Sequence, residues 1–132
     1  MLLDQLSLKE KHAFLSLAKQ LVSLNGIEEE ERAMLEAACR EMGITANVQE
    51  EATDIVAVSA CFESERSRRI ALLELYLLCH ADGEIQSAER EYNAQVCRAM
   101  GMEEEIQERA SRLSQSMLDL YLTANRFVAS AF

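Results

Sequence analysis

Cys39-Arg40-Glu41-Met42-Gly43-Ile44 returns 58 residues later as Cys97-Arg98-Ala99-Met100-Gly101-Met102. The same offset lays Ile27 on Ile85, Glu31 on Glu89, Arg32 on Arg90, Val48 on Ile106 and Ala52 on Ala110. Upstream of Ile27 the offset shrinks to 57, pairing Asn25-Gly26 with Asp82-Gly83 and Leu21 with Leu78, and leaving Glu84 as a one-residue insertion in the second copy. The chain is thus two copies of one unit, and a unit of this size cannot enclose its own apolar surface. A matched copy related by an approximate twofold axis offers the missing cover.

The unit reads as helical. With no Pro, four Gly, four Phe and three Tyr, the chain lacks the turn residues and aromatic runs of a β-sandwich. Ser7-Leu8-Lys9-Glu10 is a capping box that opens helix 1, whose stripe is Phe14, Leu17, Ala18, Leu21 and Leu24, with Asn25-Gly26 as its stop. Helix 2 follows from about Glu29 to Met42, with Met34, Leu35, Ala38 and Cys39 inward and Gly43 suited to the left-handed position after the last turn. Asn47-Val48-Gln49-Glu50 is a second capping box for helix 3, which carries Val48, Ala52, Ile55 and Phe62. Helix 4 begins near Ser64 and is expected to be the most buried, because Ile70 to Cys79 is a nearly continuous apolar run broken only by Glu74. Asp82-Gly83 ends it, Ser87 is the expected cap of helix 5, and Gly101 closes helix 5 as Gly43 closes helix 2. Helix 6 starts in Glu103-Glu104-Glu105 and holds Ile106, Ala110, Leu113, Met117, Leu120, Tyr121, Ala124 and Phe127 in one stripe, long enough to break into two helices.

The expected fold is therefore all-α, a bundle of about six to seven helices in one domain over 1–132. Repeat one spans about 7–62, repeat two about 64–120, and a helical tail 121–132. In that tail Tyr121, Phe127, Val128 and Phe132 either form an apolar patch for self-association or a partner, or pack back on the core.

Composition narrows the function. A net charge of −10 argues against nucleic acid or an anionic membrane and leaves cations or a basic protein as partners. The start, Met1-Leu2-Leu3-Asp4, has no basic leader, and no apolar run approaches the ~20 residues that span a bilayer, so a cytoplasmic protein without membrane insertion is expected. Cys39, Cys61, Cys79 and Cys97 show no C-x-x-C spacing and fall in helical apolar patterns, as buried thiols do. No phosphate-cradling glycine loop, G-x-S-x-G or H-E-x-x-H occurs, and the chain reads as a non-enzyme.

Most acid falls in first helical turns, where carboxylates offset the helix dipole. Asp82 does not, because it follows the carboxyl end of helix 4. Asp-Gly is a favoured turn, which is one account. The other is a divalent cation held by Asp82, Glu84 and Glu89 around a sharp glycine bend, like the latter half of a calcium loop. Leu78 and His80 stand where an EF-hand needs its first two ligands, so an ordinary EF-hand is excluded. His80 suits a capping role in the last turn, or as a ligand would move the preference from Ca²⁺ or Mg²⁺ toward Zn²⁺ or Mn²⁺. Asn25 and Glu31 form the degenerate, weaker counterpart in the first copy. His12, beside Lys9 and Lys11, reads as a surface residue.

Ala81-Asp82-Gly83-Glu84-Ile85 with Glu89-Arg90, followed by an amphipathic helix and Arg98-Ala99-Met100-Gly101, resembles the TerB-like family. The first copy echoes it in Asn25-Gly26-Ile27, Glu31-Arg32 and Met42-Gly43, so the resemblance covers nearly the whole chain. It implies an all-helical bundle of two related halves, a cytoplasmic setting, a stress or tellurite-resistance context, and a divalent-cation role for Asp82 and Glu89. Some family members are co-chaperones with a membrane segment and a J-domain; this sequence contains neither, and co-chaperone activity is not carried over. The alternative function is a metal-free scaffold that binds a protein partner or a second copy of itself.

Overall fold

The computed structural model describes residues 2–24, 29–45, 54–80 and 85–131, with Glu30 and Glu31 described in backbone only. Within them lie a 3-10 turn, Leu3–Gln5, and six α-helices with no strand: α1 Leu8–Val22, α2 Glu29–Met42, α3 Ile55–Ser59, α4 Glu65–Cys79, α5 Ser87–Ala99 and α6 Glu104–Ala129. The protein is all-α.

The helix starts follow from side-chain chemistry. Ser7 Oγ accepts the Glu10 amide at 3.2 Å while Glu10 Oε1 accepts the Ser7 amide at 3.0 Å, the reciprocal cap the sequence predicts. The second carboxylate oxygen of Glu10 accepts the Glu63 amide at 3.0 Å, so one buried side chain ties the entry of α1 to the entry of α4. Ser64 caps α4 in the same way, its Oγ accepting the Ser67 amide at 3.0 Å. Both α1 and α4 run for 15 residues, and their caps stand at the interval of the sequence offset.

The helix ends of the two copies also match. After α2 the Ile44 amide donates to the Cys39 carbonyl at 3.0 Å and the Gly43 amide to Arg40 at 3.2 Å; after α5 Met102 donates to Cys97 and Gly101 to Arg98, each at 3.0 Å. These paired bonds require a left-handed residue, and Gly43 and Gly101 supply it with φ of 72° and 73°. Cys39 and Cys97 are both buried beneath these turns. The described part of the third helix is 5 residues in α3, and α6 runs for 26.

Helix α4 sits at the centre, in contact with α1, α2, α5, α6 and the 3-10 turn. Phe14, Leu17, Leu72, Leu75 and Val96 are fully enclosed around it. Two phenols cross-tie the layers: Tyr92 donates to the Leu17 carbonyl at 3.1 Å, joining α5 to α1, and Tyr76 accepts from Gln107 Nε2 at 3.0 Å, joining α4 to α6. Burial raises the pKa of both phenols, which keeps them protonated.

Several expectations need correction. Gln86, not Ser87, caps α5: Glu89 Oε1 accepts the Gln86 amide at 2.9 Å, and a carboxylate reaching back three residues sets the cap one position earlier. Helix α1 ends at Val22 and α4 at Cys79, before the Asn25-Gly26 and Asp82-Gly83 stops, which lie outside the described residues. Leu24, placed on the helix 1 stripe, is past the helix end and 42 % exposed. The described part of helix 3 starts at Asp54, whose Oδ1 accepts the Val56 amide at 3.1 Å, and it ends before Phe62; the box Asn47–Glu50, Val48 and Ala52 lie outside the described residues. Cys61 follows α3 in a turn and is half-buried, whereas the other three thiols are buried in helices. Helix α6 does not break, since no Gly or Pro interrupts its stripe.

Two outcomes check these caps. Gly101→Ala meets no steric clash, since a Cβ there would find nothing within 4 Å, so its cost is the backbone strain alone, about 1–2 kcal/mol in thermal unfolding. For Glu10, burial raises the carboxyl pKa, but hydrogen bonds from the Ser7 and Glu63 amides and from Ser67 and Ser7 outweigh it and hold the value below the ordinary 4.5. Its stabilisation is present above that ordinary value and lost as pH falls through the lower folded one. Glu10→Gln should therefore cost about 1–3 kcal/mol at neutral pH and progressively less in acid, read from melting curves across pH.

Candidate interaction site

The first half of α6 is bound to the bundle. Ile106 and Ala110 pack on the core, and Ser114, fully buried, meets His80 Nε2 through its Oγ at 3.1 Å while donating to the Ser111 carbonyl at 2.7 Å. His80 is the C-cap of α4, so a buried polar contact joins the end of one helix to the flank of the other. After Leu118 every described residue of the helix is exposed. Eleven residues, Asp119 to Ala129, project as helix, about 16 Å at 1.5 Å per residue.

One face of that projection is apolar. Leu120 is 71 % exposed, Tyr121 64 %, Phe127 79 % and Val128 69 %. An isolated helix of this length is marginal in water, but here the first half, anchored on α4, has already met the cost of nucleation. Of the two expectations for the tail, packing back on the core is overturned for Tyr121, Phe127 and Val128; Phe132 lies outside the described residues. The side chains that would have to fold back belong to one unbroken helix.

Grooves flank α6 on either side. One, of about 490 Å³, lies between α2, α4 and α6, with Met34, Leu77, Met117 and Tyr121 on its walls. Glu74 and Glu41 stand in it, and they grip the chain start: Glu74 Oε2 accepts the Leu2 amide at 2.7 Å and Glu41 Oε2 the Leu3 amide at 2.9 Å. The other groove, of about 400 Å³, lies between α4 and α6, with an apolar floor at Leu72, Ile106 and Leu113 and a rim of Arg69, Arg109 and Arg112. Arg69 Nε is paired with Glu65 at 3.0 Å, whereas Arg109 and Arg112 have no carboxylate partner among the described residues.

The acidic-loop candidates are distributed differently. Asp82, Glu84 and Asn25 lie outside the described residues, as does the side chain of Glu31. Glu89 is described, and it is 4 % exposed with Oε1 engaged by the Gln86 amide. That bond makes it part of the cap at the start of α5. Among the described residues no three His, Cys, Asp or Glu are gathered as a metal shell, and no helix is long and apolar enough to cross a membrane. His12 is half-buried rather than a plain surface residue, and its Nδ1 is enclosed.

The sequence stripe contains Leu120, Tyr121 and Phe127 but does not show that α4 stops short of them. Arg109 and Arg112 share a helix face by spacing; that Arg69 joins them depends on how α4 and α6 pack. No family model, curated protein or solved structure matches the chain.

Exposure sets the expected energetics. Phe127→Ser should leave thermal unfolding of the monomer within about 0.5 kcal/mol, while Phe14→Ala, at a fully enclosed position, should cost about 3–5 kcal/mol.

Proposed function

We propose that this protein is a non-enzymatic helical interaction module whose working surface is the free end of α6. The observation that carries this reading is one continuous apolar face, Leu120, Tyr121, Phe127 and Val128, on a stretch of helix whose described residues after Leu118 are all exposed. Water contact over such a face is unfavourable, and faces of this kind mark association sites on soluble domains. The bundle supplies a rigid mount, because Ser114, Gln107 and Ile106 fix the first half of the helix on α4.

The resemblance to the TerB-like family supports a setting in which two halves related by a near-twofold rotation form a cytoplasmic stress-response module, with tellurite resistance as one such context. Divalent-cation binding by Asp82, Glu84 and Glu89 draws on that resemblance and on loop composition alone. Calorimetric titration with Ca²⁺, Mg²⁺, Mn²⁺ and Zn²⁺ against Asp82→Asn tests it.

The interaction reading is tested by placing a photo-crosslinking amino acid at Asn125, exposed on the free end of α6. Irradiation of cells expressing the full chain should give a discrete adduct that Leu120→Glu abolishes. Absence of any adduct would sink the reading.

A further inference from the structure

The half of α6 that lies on the bundle borders a site of a different kind. Ile106, Ala110 and Leu113 follow one another at i, i+4 and i+7, and with Leu72 and Leu73 of α4 they make an apolar floor. Arg109 and Arg112 lie beside that row on α6, and Arg69 stands one turn before Leu72 and Leu73 on α4. The groove of about 400 Å³ between the two helices is therefore apolar at its base and bordered by three guanidinium groups. Its volume falls within the ~300–1,000 Å³ of small-molecule sites. Leu113 is 53 % exposed, so the floor has apolar area still open to a ligand.

These guanidinium groups keep donors available. Arg69 gives its Nε to Glu65, which leaves the two terminal nitrogens of its fork. Glu105 and Glu108 stand four residues before Arg109 and Arg112, the spacing of a helical ion pair, yet neither arginine has a carboxylate partner among the described residues. Exposed pairs of that kind are weak in any case and yield to a ligand. The groove on the other flank of α6 differs, because its carboxylates Glu74 and Glu41 already hold the Leu2 and Leu3 amides.

We infer that this groove binds a small amphiphile with a single carboxylate head, of the medium-chain fatty acid class. Its chain covers Leu72, Ile106 and Leu113, and its head is held by Arg109 and Arg112 with Arg69 on the opposite wall. Charge complementarity selects the head, because a guanidinium fork presents parallel N–H donors to the two oxygens of a carboxylate. The charge of the whole chain, −10, selects the size. A nucleic acid, an anionic membrane or an acidic helix brings many negative charges against a surface with surplus carboxylate and is repelled. A lone carboxylate in the groove meets the arginines at contact distance, while charges beyond about 8–10 Å are screened. The groove ends at Ser116, before the exposed stretch that follows Leu118, so the site stands apart from the association surface.

Calorimetric titration of the full chain with decanoate, kept below its micelle concentration, should show one saturable site. Decanol, which has the same chain without the charge, should bind about tenfold more weakly, and acetate, the head without the chain, should not bind. Arg109→Gln with Arg112→Gln should weaken decanoate by about tenfold and leave decanol unchanged, and the same pair changed to Lys should recover part of the loss. Both arginines are exposed, so these variants should melt close to the parent. The methyl resonances of Ile106 and Leu113 should shift as decanoate is added. Equal affinity for decanoate and decanol, loss of the two arginines without effect, methyl shifts confined to other residues, or no binding at millimolar decanoate would each overturn the inference.

Discussion

The burial of α4 between α1, α2, α5 and α6 is the constraint on which the rest of the structure depends. Its run from Ile70 to Cys79 places apolar side chains on more than one face, and a helix of that kind is stable only when surrounded. The polar groups carried inward with it are each engaged. Glu74 accepts the Leu2 amide, Tyr76 accepts from Gln107, and Ser67 completes the cap with Ser64. A buried polar atom left without a partner costs about 1–3 kcal/mol, so these contacts fix where the neighbours must sit as much as the apolar packing does. The position of α6 follows, because Gln107 and Ser114 meet α4 at Tyr76 and at its C-cap His80.

Much of this was legible in the chain because the signals are local. The Ser7 and Ser64 caps, the left-handed Gly43 and Gly101 and the burial of Cys39 and Cys97 each depend on a few neighbouring residues, and the repeat supplies each signal twice. What was not legible depends on relative length and on packing. The stripe from Ile106 to Phe127 is equally periodic where α4 lies beneath it and where nothing does, so periodicity alone cannot say where cover ends. The cap of α5 was misplaced by one residue because Gln86 and Ser87 are both plausible caps until Glu89 is seen to reach back. The grip of Glu41 and Glu74 on Leu3 and Leu2 spans 38 and 72 residues and has no local signature.

The two halves of the chain agree at their caps and differ at their far ends. Caps and helix lengths recur between α1 and α4, but the third helix of the second copy is 26 residues against 5 described in the first. The part of α6 beyond Leu118 is exposed and contributes no buried side chain to the core. The acidic composition is unevenly spread. Surfaces bearing surplus carboxylate repel one another, and the end of α6 from Leu113 to Ala129, with Asp119 and Arg126 as its charges, stands apart from that surplus.

The thiols give the molecule an uneven chemical reactivity. Cys39, Cys79 and Cys97 are enclosed, and burial raises the pKa of Cys39 and Cys97, which suppresses the thiolate that alkylating and oxidising agents attack. Cys61 stands half-exposed in the turn after α3, on the wall of a shallow groove with Lys9 and His12, where its Sγ contacts the Ala57 carbonyl at 3.8 Å. Oxidants and thiol probes therefore meet one accessible sulfur first, and the folded bundle carries a natural single attachment point whose modification reports on the α1–α3 side while leaving α6 untouched.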